Sequence, residues 1–456
     1  MNKIFHILII ILSVYCTACS DDDDSINTTL EFKSSSIENN AVDVPISTTI
    51  LEVSFNGNIK LAPQHGITIN DEAVSVEASL SKLIFTISLA KDRTYQLNIP
   101  KEAVLNADNI PLSKGIQISF ATEKNSSTNL SGLDFVANMG VGWNLGNTLD
   151  SKGNDETVWG NPKASQELIN AISAKGFKTL RVPATWQYHI GNAPEYTIEK
   201  EWLDRVEEVV NYGLSKDMYV ILNIHHDEEW LIPTYTAVDK SKDQLGKVWT
   251  QIAERFKDYN NKLIFETLNE TRLKGSAEEW NGGSAEGRDC INQFHKTSVN
   301  AIRETGSENA DRYIMISSYA ASSSQAAIDG LVLPSSSNLI VSIHSYFPYE
   351  LCLGSGQTEW GSDADKQALD AEFDKLQQKF ISKGIPVVMG EWGTTNHNNT
   401  EARIIHASYY ANGCLKRGIC PIWWDNGNTT EFGIINRQSL EWEFPEIANA
   451  VVNAHK

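Results

Sequence analysis

Glu270 and Glu391 are the residues whose type and setting most directly imply chemistry. Glu270 ends the phrase LIFETLNE, and Glu391 stands in IPVVMGEWG. Both runs are apolar until they near their ends. Two carboxyl groups facing each other across a cleft suit the breaking of a glycosidic bond. One gives a proton to the leaving oxygen while the other attacks the anomeric carbon. In the double-displacement form of that reaction the carboxyl groups lie about 5–5.5 Å apart. Other strand-like runs turn polar in the same way, with Arg181, with Asn223 and His225, with Asn269 before Glu270, with His344 and Tyr346, and with Trp424 to Asn426. One polar strand end is an ordinary structural hydrogen bond, but a recurrence in most strands of one domain is hard to explain that way. A metal ion is the competing reading. Metal-dependent barrel hydrolases offer a His-x-His pair on the first strand; the first run here is VGWNLGN, so no metal is expected.

These side chains need a frame that brings strand ends together. Strand-like runs start at Val141, Thr179, Tyr219, Leu263, Tyr313, Leu339, Ile385 and Ile419. Amphipathic patterns lie between most of them. SQELINAISAKGF places Leu168, Ile169, Ile172 and Phe177 at helical spacing and stops at Gly176. EWLDRVEEVVNYGLSKD and KVWTQIAERFKDYN are two more. Eight such units over residues 133–456 predict an α/β fold of the (β/α)8 TIM-barrel type, whose strands deliver their C-terminal ends to one mouth. Strands four and seven, bearing Glu270 and Glu391, stand nearly opposite. A doubly wound open sheet is the alternative, but no glycine-rich phosphate loop follows the first strand.

The first third of the chain reads differently. Lys3, an apolar run from Ile4 to Tyr15, and the small residues Thr17 and Ala18 before Cys19 form a targeting segment over 1–18. It resembles a bacterial lipoprotein signal, cut before the cysteine that then carries lipid; Cys16 replaces the usual leucine. Residues 19–26 form an acidic tether with Asp21 to Asp24, similar to the export tag of Bacteroidetes surface lipoproteins. Short alternating runs over 27–124 predict a small β-sandwich, which resembles a bacterial Ig-like domain. A polar linker, NSSTNLSG, covers 125–132. The formal charge of -20 argues against nucleic acid as a partner. Lipidation of Cys19 would leave Cys290, Cys352, Cys414 and Cys420, without a CxxC pair and with room for one disulfide. A monomer anchored to the outer membrane is the expectation.

Together GWNLGNTLD, WGNP, RVPATW, ILNIHHDEEW, FETLNETR, GEWG and WWDNG resemble glycoside hydrolase family 5, and within it subfamily 4. The resemblance implies a retaining, cofactor-free endo-β-1,4-glucanase acting on cellulose-like, mixed-linkage or xyloglucan chains. It makes Glu270 the general acid/base and Glu391 the nucleophile. Arg181 and Tyr346 would support Glu391, His344 would flank Glu270, and Asn269 would hold the sugar 2-hydroxyl. His225, His226, Asn147, Trp424 and Asn426 would line substrate subsites, with Trp423 the rival of Trp424. Thr271 departs from the family's usual proline. The alternatives are a β-mannanase of the same family and a catalytically inactive glycan-binding protein.

Overall fold

The computed structural model describes residues 29–46, 48–90, 93–122, 130–354 and 356–454. The targeting segment, Cys19, the tether and most of the linker lie outside the described residues. The chain forms two units, Met1–Thr128 and Asn129–Lys456.

In the first unit, period-two alternation makes two sheets. Ile50–Phe55 buries Leu51, Val53 and Phe55 and turns its other residues outward. This strand pairs with Phe32–Ser35 and Lys82–Thr86 in a four-stranded sheet. Ile116–Thr122 and Thr94–Ile99 lie in a five-stranded sheet. Leu83, Phe85, Leu97, Ile118 and Phe120 fill the shared core, so the expected sandwich is present.

The second unit is a closed barrel of eight parallel strands in sequence order. They are β1 (Gly142–Leu145), β2 (Thr179–Val182), β3 (Tyr219–Asn223), β4 (Leu263–Glu266), β5 (Ile314–Ser322), β6 (Leu339–His344), β7 (Val387–Trp392) and β8 (Ile419–Asp425). β8 pairs back onto β1. The helix Gln166–Lys175 starts at its Ser165 cap and ends at left-handed Gly176, with φ 118°. Alternation sorts the barrel residues into two layers. Val220 and Leu222 pack in the large outer core against the helices, whereas Ile221, Ile264, Met315, Ile340, Val388 and Ile422 fill the lower interior. The helix Gly132–Met139 contributes Phe135, which stacks on Tyr313 at 3.8 Å and belongs to that lower cluster. The lower half is thus mainly apolar, with Thr179 donating to Met139 O, and the charged inward residues Arg181, Glu266 and Glu391 stand above it.

Cys290, Cys352, Cys414 and Cys420 are buried and free, so the possible disulfide is not formed among the described residues. None of the described helices is long and apolar enough to cross a membrane.

Candidate active site

Three local features place the two glutamates. β4 ends at Glu266, so Glu270 stands four residues beyond the strand rather than at its end, as the sequence suggested. Glu391 lies within β7, where strict alternation would not aim it at the mouth. The register with β6 shifts there: Ile343 pairs with Met389, but His344 pairs with Glu391. One extra residue re-aims the side chain, as a β-bulge does. Gly390 is the residue passed over. A Cβ on it would meet Ser342 Oγ at 2.9 Å and His344 Nε2 at 3.0 Å, so glycine is required.

One oxygen each of Glu270 and Glu391 and a ring nitrogen of His344 all lie within 4.8 Å of one another. That spacing matches a retaining pair and leaves too little room for the water that an inverting pair must hold between its carboxyls. Arg181 Nη1 donates to Glu391 Oε1 at 2.8 Å, and Tyr346 OH donates to Glu391 Oε2 at 3.0 Å. His344 Nδ1 is 2.8 Å from Glu270 Oε1 and 3.5 Å from Glu391 Oε2. The same three groups are near enough to bind an ion, as are Asp150, His225 and His226.

Arg181 is itself fully buried and held by residues that sequence reading passed over. Its Nε donates to Glu266 Oε2 at 2.8 Å and Nη1 to Asn144 Oδ1 at 2.9 Å. Glu266 also accepts from Asn223 Nδ2 at 2.9 Å and Ser342 Oγ at 2.6 Å. One guanidinium therefore serves two buried carboxylates. The signal was present: Glu266 is a charged residue inside the apolar run LIFET. Arg181 Nη2 donates to Asn269 Oδ1 at 2.8 Å. Since the arginine only donates, this turns the Asn269 amide nitrogen towards the cleft that Asn269 lines.

Burial pushes the Glu391 carboxyl above its ordinary value, with His344 and Arg181 pulling against it. Burial also pushes Glu270 up, but the hydrogen bond and charge of His344 outweigh it and hold Glu270 lower. That order is opposite to the one expected for a proton donor at Glu270. The cause is the partner: Arg181 cannot lose its charge, whereas His344 can, and its pull on Glu270 lasts only while the imidazole is protonated. Without the His344 charge, Glu391 keeps both the charge and the hydrogen bond of Arg181, whereas Glu270 keeps only the charges of Arg272 and His226, so the proton shifts towards Glu270. Tyr346 is pushed well above its ordinary value by burial and by Glu391, so it stays a donor.

The cleft encloses about 940 Å³. His225 and Trp424 form one wall, stacked at 5.9 Å and 6°. His225 Nδ1 accepts from Asn223 Nδ2 at 3.1 Å, and burial keeps the ring neutral. His226 lines the cleft beside it, with Nδ1 3.2 Å from Glu228 Oε1. The choice between Trp423 and Trp424 follows from alternation. Trp424 points inward, while Trp423 points outward, is fully buried and meets Trp392 edge-on at 5.1 Å. Trp143 and Trp186 are core residues, whereas Trp159 approaches His226 at 5.7 Å. Trp280, 57% exposed, lines the cleft with one face covered by Arg272 at 4.1 Å and was not anticipated.

Two expected residues do not reach the cleft wall around the glutamates. Asn147 sits in a left-handed turn with φ 53° near the rim, where its carbonyl accepts from Asn161. Asn426 is a turn brace: its Nδ2 donates to Glu431 and its Oδ1 accepts from Asn428 N. Asp425 is structural, as expected, accepting from Gly427 N, Ile434 N and Arg437.

A parallel barrel whose mouth holds two carboxyls at retaining separation defines the class of a double-displacement glycosidase. Residues 141–430 match the model of the cellulase family, glycosyl hydrolase family 5, and the chain belongs to that family. Endoglucanase B of Clostridium cellulovorans is 47% identical over 74% of this chain and 79% of its own length. Among solved structures, a GH5-4 broad specificity endoglucanase from Clostridium acetobutylicum is 49% identical, covering 71% of this chain and 99% of that one with a TM-score of 0.70. A xyloglucan-specific endo-β-1,4-glucanase from a metagenomic library, in complex with cellotriose, is 39% identical, covering 70% and 98% with a TM-score of 0.68.

Proposed function

We propose that this protein is a retaining endo-β-1,4-glucanase. The observation that carries the reading is the pair Glu270 and Glu391, with oxygens within 4.8 Å and different supports on each. Glu391 attacks the anomeric carbon while the bond to the leaving oxygen breaks, and Glu270 gives that oxygen its proton. A glycosyl ester on Glu391 results. Glu270, now a carboxylate, takes a proton from water, which attacks the same carbon and frees Glu391. Arg181 and Tyr346 hold Glu391 in place, and Asn269 offers its amide to the sugar 2-hydroxyl. Trp424 supplies a flat apolar face to a sugar ring beside His225. The names of the relatives, which include broad-specificity and xyloglucan-specific endoglucanases, support β-glucan as the substrate class. The leader before Cys19 and the acidic tether support a lipid anchor that exposes the protein on the outer membrane.

Incubation with cellulose, mixed-linkage glucan, xyloglucan and mannan tests the assignment. Internal cuts in a glucan, with the β configuration kept in the first product, are expected. Cleavage of mannan alone would make the protein a β-mannanase, and no cleavage of any would leave it a glycan-binding scaffold.

A further inference from the structure

Glu270 stands four residues past the end of β4, so the regular ladder of the barrel does not hold it. Single bonds fix its segment on either side. Asn269 N donates to Ile224 O at 3.0 Å, and Ala320 N donates to Thr271 O at 3.2 Å. The carbonyl of Glu270 itself accepts from Arg272 Nη1 at 3.0 Å. A side chain two residues on thus sets the peptide that carries the acid/base.

The Arg272 side chain is only 11% exposed and is engaged on its edges and on one face. Nε donates to Glu279 Oε1 at 3.0 Å, and Nη1 lies 3.6 Å from Glu228 Oε1. The other oxygen of Glu279 accepts from Gly275 N at 2.7 Å, which closes this loop on itself. Glu228 also meets His226 Nδ1 and Lys152 Nζ, each at 3.2 Å. Loops that follow β1, β3 and β4 therefore converge on the Glu228–Arg272 pair. The face of the guanidinium covers the indole of Trp280 at 4.1 Å. Trp280 is 57% exposed and lines the cleft, so no core packing locks its plane and the guanidinium gives it a fixed back. A planar guanidinium can serve both sides at once, because it donates in its plane and stacks on its face.

We propose that Arg272 is a positioning residue for cleavage, which holds the peptide of Glu270 and the plane of Trp280 as one unit. A sugar ring on the open face of Trp280 is thereby set relative to the proton donor. This rests on the glucanase reading above. The proton must reach the leaving oxygen at hydrogen-bond distance, so a small turn of either partner costs rate as well as binding.

The test is a double-variant cycle on a long cello-oligosaccharide, with melting curves as the control for folding. Arg272→Met keeps the stem and removes the fork, and kcat/KM should fall about 10-fold, one charge-assisted hydrogen bond. The loss should fall on both kcat and KM, because the aim of Glu270 and the support of Trp280 go together. Trp280→Ala should raise KM and leave kcat within about 2-fold. The double variant should show the KM of Trp280→Ala and the kcat of Arg272→Met, so the two KM effects should not multiply. An aryl cellobioside with a good leaving group, which scarcely needs the proton, should lose less than about 3-fold in kcat with Arg272→Met. Arg272→Lys keeps the charge between Glu228 and Glu279 but cannot donate and stack as the fork does, so it should lose kcat about 3-fold or more. A folded Arg272→Lys with the kcat and KM of the wild type would overturn the role. So would KM effects that multiply in the double variant, or equal kcat losses on both substrates. A wild type that cuts no β-glucan would overturn this role and the glucanase reading together.

Discussion

Replacing Arg181 by lysine keeps a positive charge but should still disable the site. Arg181 makes four hydrogen bonds in different directions, to Glu266, Asn144, Glu391 and Asn269. It is fully buried, so no water compensates for a lost partner. Lysine carries three donors on one atom and cannot reproduce the planar fork. At least one buried acceptor is stranded, and a hydrogen bond to a charged group is worth about 1.5–3 kcal/mol. If the loss falls on Glu391, kcat/KM should drop about 10- to 100-fold. Glu391 also loses part of what pulls its ionisation down against burial. Cleavage needs ionised Glu391, so the acid limb of the pH profile should move to higher pH. The assay is kcat/KM against pH on an aryl cello-oligosaccharide, with a melting curve as the control for folding. An acid limb that stays in place, with kcat/KM within about 2-fold of wild type, would refute the role of the guanidinium.

Glu391→Ala should abolish turnover, and azide should partly restore it by taking the vacated position of the nucleophile; full activity without azide would remove Glu391 from that role. Glu270→Gln should hurt substrates with poor leaving groups far more than aryl glycosides with good ones, and should flatten the high-pH limb; equal losses on both would count against it. His344→Gln removes a charge that lowers both carboxyls, so both limbs of the bell should move to higher pH; a static profile would mean that His344 acts only in packing. Cys19→Ala should release the protein from the membrane fraction, and a variant that still pellets with membranes would contradict the lipid anchor.

Much of this was legible in the chain because the signals are local. Strand runs that turn polar near their ends predicted a barrel mouth, and Glu270, Glu391, Arg181, His344 and Tyr346 all meet there. Helix limits such as Ser165 and Gly176 were equally readable, since a cap and a left-handed stop act within one turn. Other features depend on what a residue meets across the barrel. Asn426 reads as a cleft residue by position, yet its side chain is consumed within its own turn. The sequence does not announce that Glu266 shares Arg181 with Glu391, because the three come from β4, β2 and β7. Nor does it show the shift between β6 and β7 that aims Glu391 inward. Residue type and period are properties of neighbours in the chain, so sequence alone determined the class of fold and singled out the two carboxyl groups that meet at its mouth. Register and shared hydrogen bonds are properties of neighbours in space, so only the tertiary structure decided how those groups are aimed, charged and supported.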